Sequence, residues 1–265
     1  MKKIFTYLLI CLCLLFLTAC PVKMEVTRIR SFVVGFNEAT SFEMQLTEDS
    51  NIALYWSNLG RWVFYSDRGL ERMRYDELAS RYNDLGYNRI TGTATVPIHR
   101  SYISNRITSI DVVSDTDFNA EHLAGTSLAG FVRLLSASPM RFIQSGYQET
   151  FDWDRDFPAN FLKEATLFSW LRIGGYFNRY HRWVSTYPNH FPINEVLSEL
   201  ERDDFRLLGT GGTYHPSPSG GEGWLFGFLV FDKKPENLGT HNLTVTIYRT
   251  CGQVLRQTIR KTFGE

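Results

Sequence analysis

The stretch Asn242–Tyr248 reads NLTVTIY, and it is followed by the turn Thr250–Gln253 (TCGQ) and by the run Val254–Phe263 (VLRQTIRKTF). In the first run, apolar Leu, Val and Ile alternate with Thr and Tyr, which is the period-2 pattern of a strand with one buried face. A short turn containing glycine between two such runs is typical of a β-hairpin. The end of the chain therefore predicts an antiparallel hairpin.

Strand patterns also cover the first half of the chain and the segment before the hairpin. Trp224–Phe231 is a continuous apolar run, and residues 28–115 are interpreted mainly as strands. Within that region, Asn51–Trp56 and Arg61–Tyr65 flank SNLG (57–60), which predicts a second hairpin. The sequence YDELASRY at 75–82 predicts a short helix between strands.

The middle of the chain, residues 126–202, predicts helices. A first helix would follow a cap at Thr126 and Ser127, since apolar residues recur there at i, i+3, i+4 and i+7: Leu128, Phe131, Val132 and Leu135. Three more helices are predicted at 158–173, at 176–187 and from Pro192 through Leu200. We therefore expect an α+β fold with an antiparallel, sandwich-like sheet from 28–115 and 205–263, one face of which a helical segment covers.

The closing segment GTHNLTVTIY (239–248), with its turn and last strand, is similar to the closing hairpin of many Ig-like bacterial sandwiches. This resemblance implies an Ig-like form of the sandwich. In the domain organisation that we expect, residues 1–19 are a signal peptide and 20–27 are a short tether. Residues 28–265 then form a single globular domain.

A long glycine-rich loop is predicted at 209–223 (GTGGTYHPSPSGGEG), since glycine permits positive φ and proline interrupts a strand. Loops of this length within a compact domain are often functional. Tyr214 lies within the loop, Trp224 borders it, and Trp153 borders another loop. We expect these three aromatic side chains to be exposed and to contact a ligand, with burial of Trp224 in the core as the alternative.

An acidic motif, DWDRD at 152–156, places carboxylates at alternate positions, as the start of a calcium-binding loop requires. The following residues depart from the pattern of a calcium-binding loop, because Phe157 and Lys163 stand where such a loop needs glycine and glutamate. Two interpretations stay open: an irregular Ca²⁺ site at Asp152, Asp154 and Asp156, or a solvated acidic loop before a helix. No zinc spacing and no nucleotide-binding glycine motif is present, so no cofactor is expected.

The first twenty residues, MKKIFTYLLICLCLLFLTAC, have the three-part form of an export signal. Lys2 and Lys3 precede an apolar run that is too short to span a bilayer comfortably, and small residues precede Cys20. The LTAC ending (17–20) resembles the lipobox of bacterial lipoproteins. That resemblance implies lipidation of Cys20 and anchoring to the cell envelope, where we expect the outer membrane, on either its periplasmic or its outer side. An ordinary cleaved signal is the alternative.

Two blocks carry a further resemblance: YDELASRYNDLGYNRITGTATVPIHRSYI (75–103) and ITSIDVVSDTDFNAEHLAGTSLAGFVRLL (107–135). They look like an uncharacterised family of Bacteroidetes lipoproteins that have a lipobox and a domain of unknown function. The resemblance implies export from a Gram-negative cell, and it transfers no catalytic residue.

The overall composition narrows the class of function. Lys and Arg together equal Asp and Glu at 28 each, which gives no electrostatic reason to expect nucleic acid as a partner. We expect a non-enzymatic lipoprotein, attached to the membrane through its lipidated N-terminus, that binds a glycan or an envelope protein or has a structural role. One alternative is a glycan-processing hydrolase with a carboxylate pair drawn from Asp152, Asp154, Glu164, Glu199 and Glu201. Another is a subunit of an envelope assembly that pairs through the edge of the terminal hairpin.

Overall fold

The structure is a computed structural model that describes residues 27–91, 100–152, 189–209, 214–216, 222–250 and 252–264. The strands in this part of the chain are β1 (Thr27–Ile29), β2 (Gly35–Asn37), β3 (Ala39–Leu46), β4 (Ile52–Leu59), β5 (Val63–Phe64), β6 (Arg89–Thr91), β7 (Ser101–Ile103), β8 (Ile107–Ser114), β9 (Val132–Ser138), β10 (Phe191–Val196), β11 (Tyr214–Pro216), β12 (Glu222–Phe231), β13 (Gly239–Arg249) and β14 (Val254–Phe263). The helices are α1 (Gly69–Arg81) and α2 (Met140–Gln144).

Two antiparallel sheets form a sandwich around the main core. One sheet has the order β10-β9-β12-β4-β3, with β11 also paired to β12, and the other has the order β14-β13-β8. Trp56 and Phe226 from the first sheet, whose rings stack at 4.2 Å, share this core with Val112, Val245 and Ile247 from the second. The α+β, sandwich-like fold predicted from the sequence is confirmed, as is the closing hairpin β13–β14.

The central strand β12 buries both of its faces, and a bulge decides which side chain faces which core. The register with β4 shifts between Leu225 and Gly227. Before the shift, Trp224 and Phe226 face the sandwich core; after it, Leu229 does so, while Phe228 joins the apolar cluster on the other face. An extra residue in a strand reverses the alternation of its side chains, which explains the change of parity.

A second core forms beside the sandwich. Here β2 pairs with β5 and, in parallel, with β7, and buried side chains of both helices belong to the apolar cluster that includes this small sheet. Asp84 is fully buried in this core, where its carboxylate accepts hydrogen bonds from the backbone N–H groups of Phe32 and Val33 at 2.7 and 2.8 Å. The Tyr147 hydroxyl donates a third at 2.9 Å. Burial raises the pKa of Asp84 to about 6, although these hydrogen bonds and Arg100 act in the opposite direction.

Two helices predicted in the middle of the chain are wrong. Val132–Ser138 is the strand β9, and all of its residues except Arg133 are buried. Val132 and Leu134 face the sandwich core while Leu135 faces the opposite cluster, and an apolar run buried on both faces has no period that separates strand from helix. Phe191–Val196 is the strand β10. Among the described strands it pairs only with β9, so it is an edge strand, and edge strands accommodate a proline such as Pro192.

The hairpin predicted at 51–65 is also wrong. The predicted turn 57–60 begins inside β4, which continues to Leu59 and pairs with β3, while Val63 and Phe64 pair with β2 instead. The helix predicted at 75–82 is confirmed as the second part of α1, which begins earlier, at Gly69. The helices predicted at 158–173 and 176–187 lie outside the described residues.

Candidate anion-binding site

A cleft of about 150 Å³ lies where the two cores meet. Its described lining contains four arginines and no acidic residue: Arg81, Tyr82, Asn105, Arg106, Ile107, Arg202, Arg206 and Thr250. Ile107 belongs to the sandwich core and Tyr82 to the second core, so the cleft lies at the seam between them. We call this site the arginine cleft.

The end of α1 forms one wall of the arginine cleft. Arg81 is the last residue of the helix and Tyr82 follows it as the C-cap. Tyr75 and Leu78, on the buried face of the helix, fix it against the second core. The Tyr82 ring stacks on Phe36 at 5.7 Å and its hydroxyl donates to Ser104 Oγ at 3.2 Å, so this wall is rigidly positioned.

The opposite wall is formed where β8 and β13 meet. The register between these strands shifts at the end of β13, so that Arg249 lies opposite Ile107 and Thr108 becomes the extra residue on β8. The Thr250 N–H then donates to the carbonyl of Arg106 at 2.9 Å. Bulges of this kind turn side chains at the end of a sheet, and this one brings Thr250 to the cleft beside Asn105 and Arg106.

Arg202 and Arg206 come from the irregular segment that follows β10. Phe205, Leu207 and Leu208 anchor this segment because their side chains are almost completely buried. Arg202 itself is exposed at the rim, and Arg206 is partly buried. The segment is thus held in place by its apolar residues, and its arginines are presented to the cleft.

Hydrogen-bond donors without partners are concentrated at the arginine cleft. Asn105 is only 3% exposed, and its Oδ1 accepts a hydrogen bond from Arg249 Nη2 at 2.9 Å. A guanidinium can only donate, so the amide orientation is fixed and its NH₂ group, Nδ2, is the end left over. Three buried atoms of the lining residues have no hydrogen-bond partner: Arg81 Nη1, Asn105 Nδ2 and Thr250 Oγ1; Arg249 Nε, on the residue that donates to Asn105, is a fourth. All four can donate, and three can do nothing else.

The charges around the cleft are only partly neutralised. Arg81 donates from Nη2 to Glu77 at 2.8 Å, and Arg206 forms an ion pair with Asp203 at 2.9 Å. Neither Arg106 nor Arg202 forms an ion pair or a side-chain hydrogen bond with any described residue. Two guanidinium groups therefore remain available to a ligand from solvent.

Burial outweighs the neighbouring positive charge in its effect on the pKa of Tyr82. Burial raises the pKa of its hydroxyl, while the hydrogen bond to Ser104 and the charges of Arg81, Arg206 and Arg106 act to lower it. The tyrosine is thus held as a neutral donor to Ser104 at the base of a positive site. We assign it a packing role there.

A second basic cleft, of about 350 Å³, lies at the other end of the sandwich. It contains Lys233, Lys234 and Lys261, and we call it the lysine cleft. Lys261 is engaged, because its ammonium donates to the carbonyl of Ser50 and lies 4.7 Å from the centre of the Phe263 ring. Burial lowers the pKa of Lys261. Within the described residues, no unpartnered buried donor lines this cleft, in contrast to the arginine cleft.

An acidic groove of about 510 Å³ runs along β10 and the segment after it. It contains Glu195, Glu199, Asp203 and Asp204, with Phe191 as part of its wall. All four carboxylates are exposed to solvent, whereas burial holds the general acid of a glycosidase in its protonated form. Of the other carboxylates considered for a hydrolase, Glu201 and Asp152 are exposed, and Asp154 and Glu164 lie outside the described residues.

Two of the three aromatic residues predicted to contact a ligand lie in the described structure, on the paired strands β11 and β12. Trp224 is 1% exposed within β12 and packs against Trp62 at 4.9 Å, so the expectation that it is exposed is wrong. Residues 223–230 of this strand are all buried, so the apolar run presents no exposed face at Trp224. Tyr214 lies in the short strand β11, opposite Trp224, rather than in a loop. Trp153 lies outside the described residues.

Other predicted sites fall largely beyond the described residues. Of the proposed calcium ligands, Asp152 is described and exposed, whereas Asp154 and Asp156 lie outside the described part, as does the lipidation site Cys20. In the part of the chain that the structure describes, no three histidine, cysteine, aspartate or glutamate residues group as metal ligands. No described helix combines the length and the apolar character that crossing a bilayer requires.

Sequence reasoning did not find the arginine cleft. Its residues come from four separate segments, and no short motif or regular spacing connects Arg81, Asn105, Arg202 and Thr250. Comparison of the chain with protein-family models, with curated proteins and with solved structures gives no match.

Proposed function

We propose that this protein is an exported, lipid-anchored binding protein of the bacterial envelope, and that its arginine cleft holds an anionic group of the ligand. The observation that carries the proposal is the set of unpartnered buried donors beneath two unpaired guanidinium groups. A non-enzymatic binding role agrees with the expectation from the sequence. The proposed site is not the aromatic loop at 209–223 that the sequence predicted. Its ligand is specified by negative charge rather than by contact with aromatic rings.

The energetics of the unpartnered donors support a ligand. Each buried polar group without a hydrogen bond costs about 1–3 kcal/mol of stability. Asn105 Nδ2 and Thr250 Oγ1 carry this cost in the lining of one small cleft, and Arg249 Nε carries it on the residue next to Thr250. A ligand whose atoms accept hydrogen bonds would recover it, and donors that are already in place lose little entropy on binding.

The composition of the lining favours binding over catalysis. Its described side chains are guanidinium, amide, hydroxyl, tyrosine and isoleucine groups. None is a carboxylate, a thiol or an imidazole, which are the usual general bases and nucleophiles. Arginine forks are well suited to hold carboxylate, phosphate or sulfate oxygens in fixed geometry.

Placement at the envelope rests on the N-terminal segment. The lipobox-like LTAC sequence supports a lipid anchor at Cys20, and the short tether 20–27 would hold the domain near the membrane surface. Anionic groups are abundant on lipids and glycans, so a cleft for anions suits this location.

Thermal unfolding in the presence of anions tests the proposal. Phosphate, sulfate and acetate are each added at constant ionic strength, balanced with sodium chloride, and a ligand of the folded state should raise Tm as its concentration increases. The Arg106→Gln/Arg202→Gln variant should lose this rise, since both side chains are unpaired and exposed. The matched control, Arg256→Gln/Arg260→Gln, removes the same charge from the exposed residues of β14 and should keep the rise. Equal behaviour of the two double variants would contradict an anion site in the arginine cleft.

A further inference from the structure

We infer that the arginine cleft is built for a fully ionised tetrahedral oxyanion, the end group of a phosphate monoester or sulfate ester, and not for a carboxylate. The inference rests on the proposed function and defines the ligand class of the same site. Three features of the cleft carry it: the number of donors, the volume, and the lack of a carboxylate among the described lining residues.

The donors exceed what a carboxylate can accept. Three buried donors of the lining, on Arg81, Asn105 and Thr250, lack hydrogen-bond partners, and the free guanidinium groups of Arg106 and Arg202 add several further N–H groups. A carboxylate offers about four acceptor positions in one plane. A phosphate monoester has three terminal oxygens, arranged in three dimensions, and more negative charge. Donors that come from the end of α1, from the β7–β8 connection and from the end of β13 approach from different directions, which suits tetrahedral geometry.

The volume of the cleft agrees with a small head group. A volume of about 150 Å³ is that of a small polar cavity with room for several water molecules. A phosphate or sulfate end group contains five heavy atoms, the bridging oxygen included, so it fits such a space while the rest of the ligand extends toward solvent. The exposed side chains of Arg106 and Arg202 stand at the mouth, where the rest of the ligand would emerge.

The lining also selects the ionised form. A protonated phosphate carries a P–OH group that needs an acceptor, and among the described lining residues no carboxylate can provide one. The charged groups that face the cleft are Arg81, Arg106, Arg202 and Arg206; the carboxylates paired to them are Glu77 and Asp203, with Glu38 3.9 Å from Arg81. The dianion of a phosphate monoester, whose second pKa is about 6, is therefore the bound form that we expect.

Calorimetric titration of the purified full-length protein in detergent micelles tests this inference. The probes are glycerol phosphate, inorganic sulfate and acetate, each titrated at pH 5 and pH 8. We expect glycerol phosphate to bind at least tenfold more tightly than acetate at pH 8, and to weaken about tenfold at pH 5 as its dianion is depleted. Sulfate keeps its charge over this range, so its affinity should change little, which controls for titration of the protein.

A near-isosteric variant tests the contribution of the central donor. Asn105→Asp replaces Nδ2 with an acceptor while it keeps an oxygen for Arg249, so the variant should fold and should lose at least thirtyfold in affinity for both oxyanions. Asn237→Asp makes the same charge change on the exposed surface and should leave the affinity unchanged.

The outcomes distinguish anion binding by the cleft from its selectivity for a tetrahedral oxyanion. Binding of acetate as tight as that of glycerol phosphate and sulfate would overturn the tetrahedral oxyanion and leave an anion-binding function in place. No binding of any anion would overturn both. Sedimentation with vesicles that contain phosphatidic acid, compared with vesicles of phosphatidylcholine alone, then distinguishes a lipid phosphate from a soluble one as the source of the group.

Discussion

Asn105 accepts a hydrogen bond from Arg249 at 2.9 Å, and this contact determines which end of the Asn105 amide is left for a ligand. Asn105 lies in the connection between β7 and β8, Arg249 is the last residue of β13, and a bulge between β8 and β13 places Arg249 opposite Ile107. The same bulge brings Thr250 to the cleft. One irregularity in a sheet thus aligns several donors, as is common next to binding sites.

The unpartnered hydroxyl of Thr250 predicts a gain in stability when it is removed. Thr250→Val has nearly the same shape but no buried Oγ1 that lacks a hydrogen bond, so the free energy of unfolding without ligand should rise by about 1 kcal/mol. The same variant should bind anions more weakly. Urea denaturation measures the first effect and calorimetry the second.

A matched control for this prediction is Thr244→Val. Thr244 lies on the same strand, β13, and its hydroxyl is hydrogen-bonded to that of Thr258 at 2.9 Å. The control should lower stability slightly and leave anion binding unchanged. A Thr250→Val protein that is less stable, with unaltered affinity, would argue that this hydroxyl has no role in the site.

Buried Asp84 predicts that stability depends on pH. Its pKa is about 6 in the folded protein and near the ordinary 3.8 when unfolded, so the folded state binds the proton more tightly. Asp84 therefore contributes most to the free energy of unfolding below about pH 4. This contribution is lost as the pH rises to about 6, and it does not change further at higher pH. Over that window the free energy of unfolding should fall by about 3 kcal/mol through this group.

Comparison of the wild-type protein with a variant that lacks the titrating carboxyl isolates the contribution of Asp84 to the free energy of unfolding. Asp84→Asn cannot titrate, so the difference in unfolding free energy between wild type and variant, measured with urea from pH 4 to pH 7, should shrink by about that amount. Asp49→Asn at an exposed position should give a nearly constant difference. A constant difference for Asp84→Asn as well would show that the buried carboxyl has an ordinary pKa.

The bulge in β12 predicts that Gly227 resists substitution. A Cβ at this position would lie 3.0 Å from the carbonyl oxygen of Leu135 and 3.1 Å from Leu134 Cδ1. Gly227→Ala should therefore lower the free energy of unfolding by about 2 kcal/mol through overpacking. At Gly130 an added Cβ meets nothing within 4 Å, so Gly130→Ala should have little effect in the same urea titration.

The proposed lipid anchor predicts a change in partitioning when Cys20 is replaced. Cys20→Ala removes the thiol that the lipobox-like sequence presents, so the protein should leave the detergent phase in a phase-separation assay. Cys251→Ala, which leaves the lipobox-like sequence unchanged, serves as the control and should stay in the detergent phase. Retention of the Cys20→Ala protein there would mean that another segment attaches it to the membrane.

The parts of the fold that could be predicted from the sequence are those with a single solvated face. Leu243, Val245 and Ile247 alternate with polar residues, and this pattern places the closing hairpin β13–β14 correctly. Leu134 and Leu135, in contrast, are both buried on opposite faces of β9, so their spacing fits a helix equally well. Position in the sheet, which the local sequence does not encode, decides between them.

The candidate site was less accessible to sequence reasoning, for a related reason. Trp224 borders a glycine-rich segment in sequence, but β12 lies at the centre of its sheet and buries the indole. Asn105 and Arg249 carry no motif, and their proximity depends on the pairing of β8 with β13. The donors become recognisable as a site only when burial and hydrogen bonding are known atom by atom.

A crystal structure of the protein grown with selenate, a heavy analogue of sulfate, would show whether the arginine cleft binds an anion. Anomalous scattering from selenium locates the anion without prior assumption. We predict a peak in the arginine cleft, with oxygens within hydrogen-bond distance of Asn105 Nδ2 and Thr250 Oγ1. Peaks confined to the lysine cleft, with the arginine cleft empty at the same selenate concentration, would contradict the account.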